Sequence, residues 1–301
     1  MSCYGASPDE ALRKAGFLAP IDTLIGYYER CYLPTLSPRA PGTKRLYANL
    51  FDLHIAGSFG DTYLVDIDRA MLQRFFNGID RKPRTIERIH SVMNQILSLA
   101  ERDEIIPRNP AKHVRLPKPE KTRHKALQPW EVKALLETEY RNLVLLCGSG
   151  LRLGEALACG PWCLRDGVLS IEAQIVGDAT GRPVRQEALK TPSSRRKIPF
   201  GFDMEGIAWT RGSCSRNSQG LKRAGGRLGI ELTPHSLRHS FVTILEELEC
   251  PRRVVAELVG HARSGVTDVY SQVSWESKEK WMDRYWETVM GSVELRIGRM
   301  A

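Results

Sequence analysis

A basic segment rich in proline, residues 107–125, is the feature that most limits how this chain of 301 residues can fold. It reads PRNPAKHVRLPKPEKTRHK, and Glu120 is its one acidic residue. Proline removes a backbone donor and disfavours helix in the residue before it, so the segment is expected to be extended and to separate two domains. Side chains of like charge repel one another at this density unless a polyanion lies alongside. We therefore predict either a solvated linker or a basic strap along a polyanion.

The net charge of the chain points the same way. At +9 it favours an acidic partner, with nucleic acid ahead of an anionic membrane surface. No apolar run reaches the roughly 18 to 20 residues of a transmembrane helix, and the first residues lack the pattern of a secretory signal. The seven cysteines are scattered and form no CxxC pair, so we expect reduced thiols in a cytoplasm and no zinc site.

Residues 20–106, which follow a short N-terminal segment (1–19), have the pattern of a small all-α domain. Helices are expected over residues 21–31, 43–55, 68–76 and 85–102. The last helix is the clearest, because its apolar residues recur at helical spacing and form one stripe. Such a stripe predicts a core, and it leaves basic residues such as Arg84 and Arg88 where they could meet nucleic acid.

Residues 126–301 mix the two kinds of secondary structure. Helices are predicted over residues 128–139, 141–147, 215–228, 236–248, 252–259 and 275–289. Strand-like pieces separated by glycine, aspartate and proline turns lie at 168–171, 184–189 and 197–200. The fold is therefore predicted to be mainly α with a small β-sheet, of the α+β class.

Six polar residues of this second region stand in short phrases that could carry chemistry. They are Arg152 in GLRLGE, Lys190 in LKTPSSRRKIP, His235 and Arg238 in TPHSLRHSF, His261 in LVGHA, and Tyr270 in TDVY. Each of them alone has an ordinary explanation as a surface arginine, a helix cap or a core tyrosine. Their joint order and spacing make them informative.

In that order and spacing, the six residues resemble the catalytic set of the tyrosine recombinase family, also called the phage-integrase family. HSLRH resembles the family's His-x-Leu-Arg-His phrase, GLRLGE its Gly-Leu-Arg-x-x-Glu box, and the interval from His261 to Tyr270 its Leu-Gly-His to Tyr block. The resemblance covers the whole chain. It implies a four-helix SAM-like core-binding domain over residues 20–106, a basic linker over 107–125, and a catalytic domain over 126–301.

Phosphoryl-transfer chemistry agrees with this resemblance. Attack on a phosphodiester spreads negative charge over its non-bridging oxygens, which Arg152 and Arg238 could bind bidentately while staying charged. Tyr270 would be the nucleophile. An unperturbed tyrosine pKa of about 10 leaves the phenol neutral at pH 7, so it needs a proton acceptor, for which His235 is the candidate.

The resemblance implies the remaining roles. Lys190 would deliver a proton to the departing 5′-hydroxyl, and His261 would hold the scissile phosphate through a ring N–H. Glu155 would orient a catalytic group without doing chemistry itself. His239 is interpreted as a structural partner within its helix.

Several cations near Lys190 could compete with it as the general acid. They are Arg195, Arg196, Lys197 and Lys222. Lys190 is preferred because the phrase K-T-x-x-S-x-R-x-I-P over residues 190–199 resembles the integrase-type hairpin. The predicted DNA-backbone contacts are Lys118, Lys121, Lys125, Arg195 and Arg196.

The sequence predicts no cofactor. Arginine, lysine and histidine supply the positive charge that a metal supplies in many nucleases, and no carboxylate cluster or glycine-rich phosphate loop is evident. The family implies double-stranded DNA at attachment or core sites as the partner, a homotetramer on two duplexes, and a possible accessory directionality factor. It also implies the cytoplasm of a bacterial or phage-infected cell and no membrane.

Four functions stay open at this point. A phage or mobile-element integrase is favoured by the phrase over residues 190–199, because Xer-type resolvases of chromosome or plasmid dimers typically carry Gly-Lys-Gly-x-x-x-Arg there. The compact size favours the Xer type. A type IB topoisomerase uses a similar residue set but relaxes DNA as a monomer. A DNA-binding regulator without catalysis would show an incomplete set, whereas all six positions are present.

The last predicted helix, 275–289, carries an apolar stripe of Trp275, Met282, Trp286 and Val289. It could pack on its own domain or, as the family implies and as we predict, dock on a neighbouring subunit so that four protomers close a ring around two DNA duplexes. Residues 1–20 leave no room for a separate arm-site-binding domain. We therefore expect recombination at short core sites.

Overall fold

The computed structural model describes residues 22–119, 126–178, 180–187, 189, 191–202, 212–260 and 273–291. Their contacts divide the chain into two compact units, Met1–Thr122 and Arg123–Ala301. The described residues are mostly helical with small antiparallel sheets, so the predicted α+β class is confirmed. None of the described helices is both long and apolar enough to cross a membrane.

The first unit is a set of helices around an aromatic and aliphatic core. Its α-helices are α1 (Leu24–Tyr27), α2 (Leu33–Thr35), α3 (Pro41–Leu50), α4 (Ala56–Phe59), α5 (Arg69–Gly78) and α6 (Pro83–Arg102). Asp68 caps α5 by accepting a hydrogen bond from the Met71 N–H at 2.7 Å. The stripe predicted on α6 is buried, from Ile86 to Ala100, and supplies much of the core.

Two helices predicted to be regular contain wide π-helical turns. These turns are Tyr28–Tyr32, between α1 and α2, and Phe51–Ile55, between α3 and α4. The rings of Tyr28 and Phe51 stack with their centres 3.6 Å apart, so the turns bring two aromatic side chains together in the core. A hydrophobic period cannot distinguish such a turn from the α-helix around it.

The first part of the basic segment belongs to the first unit, which corrects the prediction of an extended linker over all of residues 107–125. Pro110–His113 forms a short 3-10 turn. Asn109 is buried and donates to the Asn94 side chain at 2.8 Å and to the Ser98 hydroxyl at 2.7 Å. An ion pair between Lys112 and Glu101 at 2.5 Å also links this segment to α6.

The second unit combines helices with two small sheets. Its helices are α7 (Pro129–Leu136), α8 (Arg141–Gly148), α9 (Leu153–Ala158), α10 (Cys214–Arg227), α11 (Pro234–Glu247), α12 (Arg252–Val259) and α13 (Trp275–Met290). Its strands are β1 (Leu164–Arg165), β2 (Val168–Ile171), β3 (Gln174–Gly177), β4 (Pro183–Gln186) and β5 (Arg196–Pro199). One sheet has the order β1-β2-β5 and the other pairs β3 with β4, all antiparallel.

The sheets differ from the prediction in three places, the first of which is the short strand β1, which was not predicted. The strand predicted over residues 184–189 is β4, Pro183–Gln186, and it ends earlier than expected. Strand β3 was not predicted, because QIVG lacks an alternation of apolar and polar residues and all four positions are half-buried. The pair β2–β5 aligns Leu169 with Ile198, and both side chains are buried.

Helix α13 packs on its own domain, which corrects the predicted docking of this helix on a neighbour. Trp281, Met282, Tyr285, Trp286 and Val289 are buried among the side chains of the second unit's core. The Tyr285 ring lies edge-on to Phe241 of α11 at 4.7 Å. Met282, Trp286 and Val289 of the predicted stripe are therefore covered within the chain, whereas Trp275 is half-buried.

Candidate active site

The loop between α8 and α9, GSGLRLGE, has a backbone that only glycine fits at its centre. Gly150 has φ +88°, and a Cβ there would lie 2.9 Å from the Phe241 ring and 3.1 Å from Val259. The Gly150 backbone therefore packs closely against Phe241 of α11 and Val259 of α12. The chain then leaves the loop with Arg152 as the N-cap of α9.

Arg152 is held by Glu155, one turn into the same helix. The Arg152 backbone N–H donates to Glu155 Oε2 at 3.0 Å, and its Nη1 donates to Glu155 Oε1 at 2.7 Å. Nη1 also reaches the Ser194 hydroxyl at 3.1 Å. The Arg152 side chain is 29% exposed whereas that of Glu155 is 2% exposed, so the carboxylate anchors an arginine that still reaches solvent.

Glu155 is a buried carboxylate that remains ionised. Burial by itself would raise its pKa, but the charge of Arg196, the Arg152 backbone N–H and the Arg152 guanidinium lower it below the ordinary value of 4.5. The Arg196 Nη2 lies 3.1 Å from Glu155 Oε2. Two arginines thus share one carboxylate.

Arg238 lies in the first turns of α11 and is 4% exposed. Its Nη1 donates to the Gly150 carbonyl at 2.5 Å, whereas its Nη2 has no hydrogen-bond partner among the described residues. Burial, followed by the charges of Arg152 and Arg196, lowers its pKa to about 10. The guanidinium is therefore charged at neutral pH and keeps a donor for an oxygen ligand.

The two histidines of HSLRH are both exposed on α11. Thr233 caps this helix by accepting from the Ser236 N–H at 3.1 Å, which places His235 in the first turn. His239 pairs with Thr243, one turn further along, at 3.0 Å, in agreement with its predicted role as a partner within the helix. His235 thus presents its ring near the end of the helix that also carries Arg238.

Three of the six predicted catalytic residues are described, and the structure brings two of them together. Arg152 and Arg238 meet around the Gly150 carbonyl and the Glu155 carboxylate, while His235 lies on the same helix as Arg238. Lys190, His261 and Tyr270 lie outside the described residues, as do Lys121 and Lys125. Lys118 and Arg195 are exposed, as a contact to a DNA backbone requires.

Arg196 does not fit its predicted role as a DNA-backbone contact. Its side chain is 5% exposed and bonded to groups of the protein itself. Strand alternation could have signalled this, because Arg196 shares a face of β5 with the buried Ile198 whereas Lys197 is exposed. The charge of Arg196 suggests a DNA contact, but the alternation of side chains along β5 decides where this side chain lies.

The cluster carries more positive than negative charge. Arg152, Arg196 and Arg238 surround one carboxylate, Glu155, and each partner is close enough to shift the pKa of another. No group of carboxylate, histidine or cysteine side chains among the described residues could hold a metal ion. An arrangement of this kind is chemically suited to bind an oxyanion and to stabilise negative charge that develops on it.

Comparisons with known proteins point to one kind of protein. A family described as the phage integrase family matches residues 211–276. The chain is 30% identical over 190 residues to the tyrosine recombinase XerA of Pyrococcus furiosus, covering 58% of this chain and 66% of that protein. It is 28% identical over 260 residues to the tyrosine recombinase XerC of Mesorhizobium japonicum, covering 76% of this chain and 82% of that protein.

Solved structures share the fold. A Tn1549 transposon integrase in complex with a circular intermediate DNA aligns with a TM-score of 0.65 at 17% identity, covering 88% of this chain and 99% of that one. A lambda integrase tetramer bound to a Holliday junction aligns with a TM-score of 0.62 at 21% identity, covering 91% of this chain and 85% of that one. At these identities the likeness concerns the fold alone.

Proposed function

The chain belongs to the tyrosine recombinase family, and from this membership we propose that it is a site-specific DNA recombinase acting through a bond between Tyr270 and a 3′-phosphate. The observation that carries the proposal is the arginine cluster. Arg152 and Arg238 are held by Glu155 and Gly150, and Arg238 keeps one donor without a protein partner among the described residues. A scissile phosphate is the ligand that such a pair of guanidiniums would bind.

The proposed cleavage is a transesterification. The Tyr270 Oη attacks phosphorus, a phosphotyrosine bond forms, and the bond from phosphorus to the 5′-oxygen breaks. His235 takes the phenol proton, Lys190 protonates the departing 5′-oxygen, and His261 contributes an N–H to the phosphate. Attack by a second 5′-hydroxyl reverses the step and joins strands without an external energy source.

Arg152 and Arg238 would stabilise the charge that grows on the non-bridging oxygens during both steps. Lys118, Lys121, Lys125 and the exposed Arg195 would contact the DNA backbone outside the scissile position. The domain bounds of 20–106 for core-site binding and 126–301 for catalysis remain part of this proposal. Buried Arg196 is not retained among the DNA contacts.

Integration or excision of a phage or mobile element is the favoured biological role. The phrase over residues 190–199 supports it. A Xer-type resolvase of chromosome or plasmid dimers is the second candidate, because curated relatives are named XerA and XerC. We further propose a homotetramer on two duplexes, as in the lambda integrase tetramer on a Holliday junction, possible control by a directionality factor, and a cytoplasmic location.

The test is capture of the covalent intermediate. Duplexes selected from a random pool on Tyr270→Phe would supply the binding site, since that change removes the nucleophilic oxygen but keeps every phosphate-binding cation. Wild type should then form a DNA adduct that survives denaturing electrophoresis, and Tyr270→Phe should form none while binding with unchanged affinity.

Tyr285→Phe is the matched control. Its hydroxyl is buried without a hydrogen-bond partner among the described residues, and burial raises the pKa of this phenol well above 10. This variant should therefore form the adduct like wild type. An adduct with Tyr270→Phe would move the nucleophile to another residue, and relaxation of supercoiled DNA without any specific site would favour a topoisomerase instead.

A further inference from the structure

Arg196, at the start of β5, has its guanidinium tied to four groups of the second unit. Nε donates to the Leu258 carbonyl at 2.7 Å, and Nη1 donates to the Ser194 carbonyl at 2.9 Å. Nη2 donates to Glu155 Oε2 at 3.1 Å and to the Gly150 carbonyl at 3.4 Å. A guanidinium has five N–H donors, so these bonds use most of its capacity and leave little for a phosphate.

Two of these partners are the groups that hold the phosphate-binding arginines. The Gly150 carbonyl that Arg196 contacts also accepts the 2.5 Å bond from Arg238. The Glu155 carboxylate that Arg196 contacts also accepts both bonds from Arg152. Arg196 is therefore linked to Arg238 through the Gly150 carbonyl and to Arg152 through the Glu155 carboxylate.

Two further contacts fix Arg196 itself. The Leu258 carbonyl belongs to the last turn of α12, and Gly260 follows with φ +70°. A Cβ at Gly260 would lie 2.8 Å from the Ser193 carbonyl and 3.0 Å from Arg196 Nη1, so the end of α12 is pressed against this side chain. The guanidinium is thus held by the end of α12 as well as by Glu155 and Gly150.

Stability alone is a poor explanation for this arrangement. The side chains of Arg196 and Glu155 are 5% and 2% exposed, and taking two charges out of water costs more than a well-packed apolar pair of similar volume. Burial also lowers the pKa of Arg196, so the fold holds the charged form against a desolvation penalty. The Arg196 guanidinium bonds both Glu155 and Gly150, and this arrangement can fix the positions of those two groups.

We propose that Arg196 is a positioning residue of the recombinase reaction: it fixes the Glu155 carboxylate and the Gly150 carbonyl, and through them sets Arg152 and Arg238 at the non-bridging oxygens of the scissile phosphate. The proposal rests on the proposed function. It differs from a backbone contact because Arg196 never touches DNA. It also differs from a purely structural role, because the loss of Arg196 should slow cleavage of a charged phosphate more than cleavage of a neutral one.

The experiment compares Arg196→Met and Arg196→Lys with wild type on the selected duplex. Each protein is tested on the normal duplex and on one whose scissile phosphate is replaced by neutral methylphosphonate. Adduct formation by Arg196→Met should fall about 30-fold on the normal duplex, within the roughly 10- to 100-fold losses typical of residues that orient a site from behind. DNA affinity should stay within about twofold, since no phosphate contact is removed.

On methylphosphonate the Met variant should lose less than about threefold, because a neutral group no longer needs two aligned guanidiniums. Arg196→Lys keeps the charge beside Glu155 but not the planar fork, so on the normal duplex it should lie between Arg196→Met and wild type. The matched control is Arg227→Met, which removes an exposed bidentate arginine from Glu139 at 2.7 Å and should cleave like wild type.

Equal losses on both duplexes would mean that Arg196 only supports the fold, and a loss of DNA affinity would mean that it grips phosphate. Either result overturns the proposal. If Arg196→Met does not fold, the Lys variant carries the test, and wild-type cleavage by folded Arg196→Lys would also overturn it. Absence of an adduct with wild type would overturn the proposed function itself, so the two failures are distinguishable.

Discussion

The two units of the chain differ in one respect: in the part of the chain that the structure describes, the second unit buries cationic side chains and the first does not. Among the described residues, the ion pairs of the first unit keep the basic partner at the surface, as with Arg84, which is 73% exposed beside Glu87. The second unit buries Arg196 with Glu155, at 5% and 2% exposed, and Arg238 at 4%. Buried charge of this kind opposes folding, so it indicates a requirement other than stability.

This difference distinguishes the interactions that stabilise each unit from the buried charges that serve another function. The first unit is stabilised by an apolar core, and its buried polar group, Asn109, is neutral and fully hydrogen-bonded to α6 and the adjacent turn. The second unit also has an apolar core, but it adds a cluster of like charges around Glu155. Substitutions should therefore affect stability and cleavage separately.

The largest effect is expected in the apolar core of the second unit. Trp286→Ala should lower the free energy of unfolding by about 3–5 kcal/mol, because the ring is buried against Tyr285 and Phe202. The half-buried Trp275→Ala is the control and should cost less than about 1 kcal/mol. Urea denaturation measures both.

The same reasoning applies to deletion of residues 275–301. Removal of α13 should abolish cooperative unfolding of the second unit, because the helix supplies core side chains. A truncated protein that folds and binds DNA normally would contradict the placement of α13 and restore the idea of docking on a neighbour.

The next effect lies in the first unit. Asn109→Ala should lower the free energy of unfolding by about 1–3 kcal/mol, because this buried side chain bonds Asn94, Ser98 and the buried N–H of Ala111. The exposed Asn77→Ala is the control and should change stability by less than about 0.5 kcal/mol. Cleavage per folded molecule should be unchanged in both. If Asn109→Ala slowed cleavage by a folded protein, the separation between the units would fail.

The smallest effect concerns the pH dependence of stability. Because the pKa of Glu155 is lower when folded than its ordinary 4.5, its ionised form stabilises the fold above about pH 4.5, and this contribution is lost as the pH falls through the folded pKa. The stability difference between wild type and Glu155→Gln should therefore shrink on acidification. Glu139→Gln, at an exposed ion pair, should show a much weaker trend in the same titration. A constant difference for Glu155→Gln would mean that Glu155 is not ionised.

The sequence predicted what depends on local pattern. The stripe of α6 repeats at helical spacing, and the phrases around Arg152 and Arg238 matched residues that the structure brings together. The sequence could not predict which surface covers the apolar stripe of α13, because apolar spacing does not specify a packing partner. The helix was therefore predicted to dock on a neighbour, whereas it packs on its own domain. The prediction also missed the burial of Arg196, although alternation along β5 places this side chain on the same face as the buried Ile198.

The central claim is that the second unit buries cationic side chains because they bind a phosphate, and not because they stabilise its fold. Arg238→Met tests it most directly, because Arg238 is 4% exposed and its Nη2 lacks a hydrogen-bond partner among the described residues. The variant should form the covalent adduct about 10²- to 10³-fold more slowly than wild type. Its free energy of unfolding should be unchanged or higher, because the change removes a buried cation that Arg152 and Arg196 repel. A variant that is clearly less stable yet forms the adduct at the wild-type rate would contradict the account.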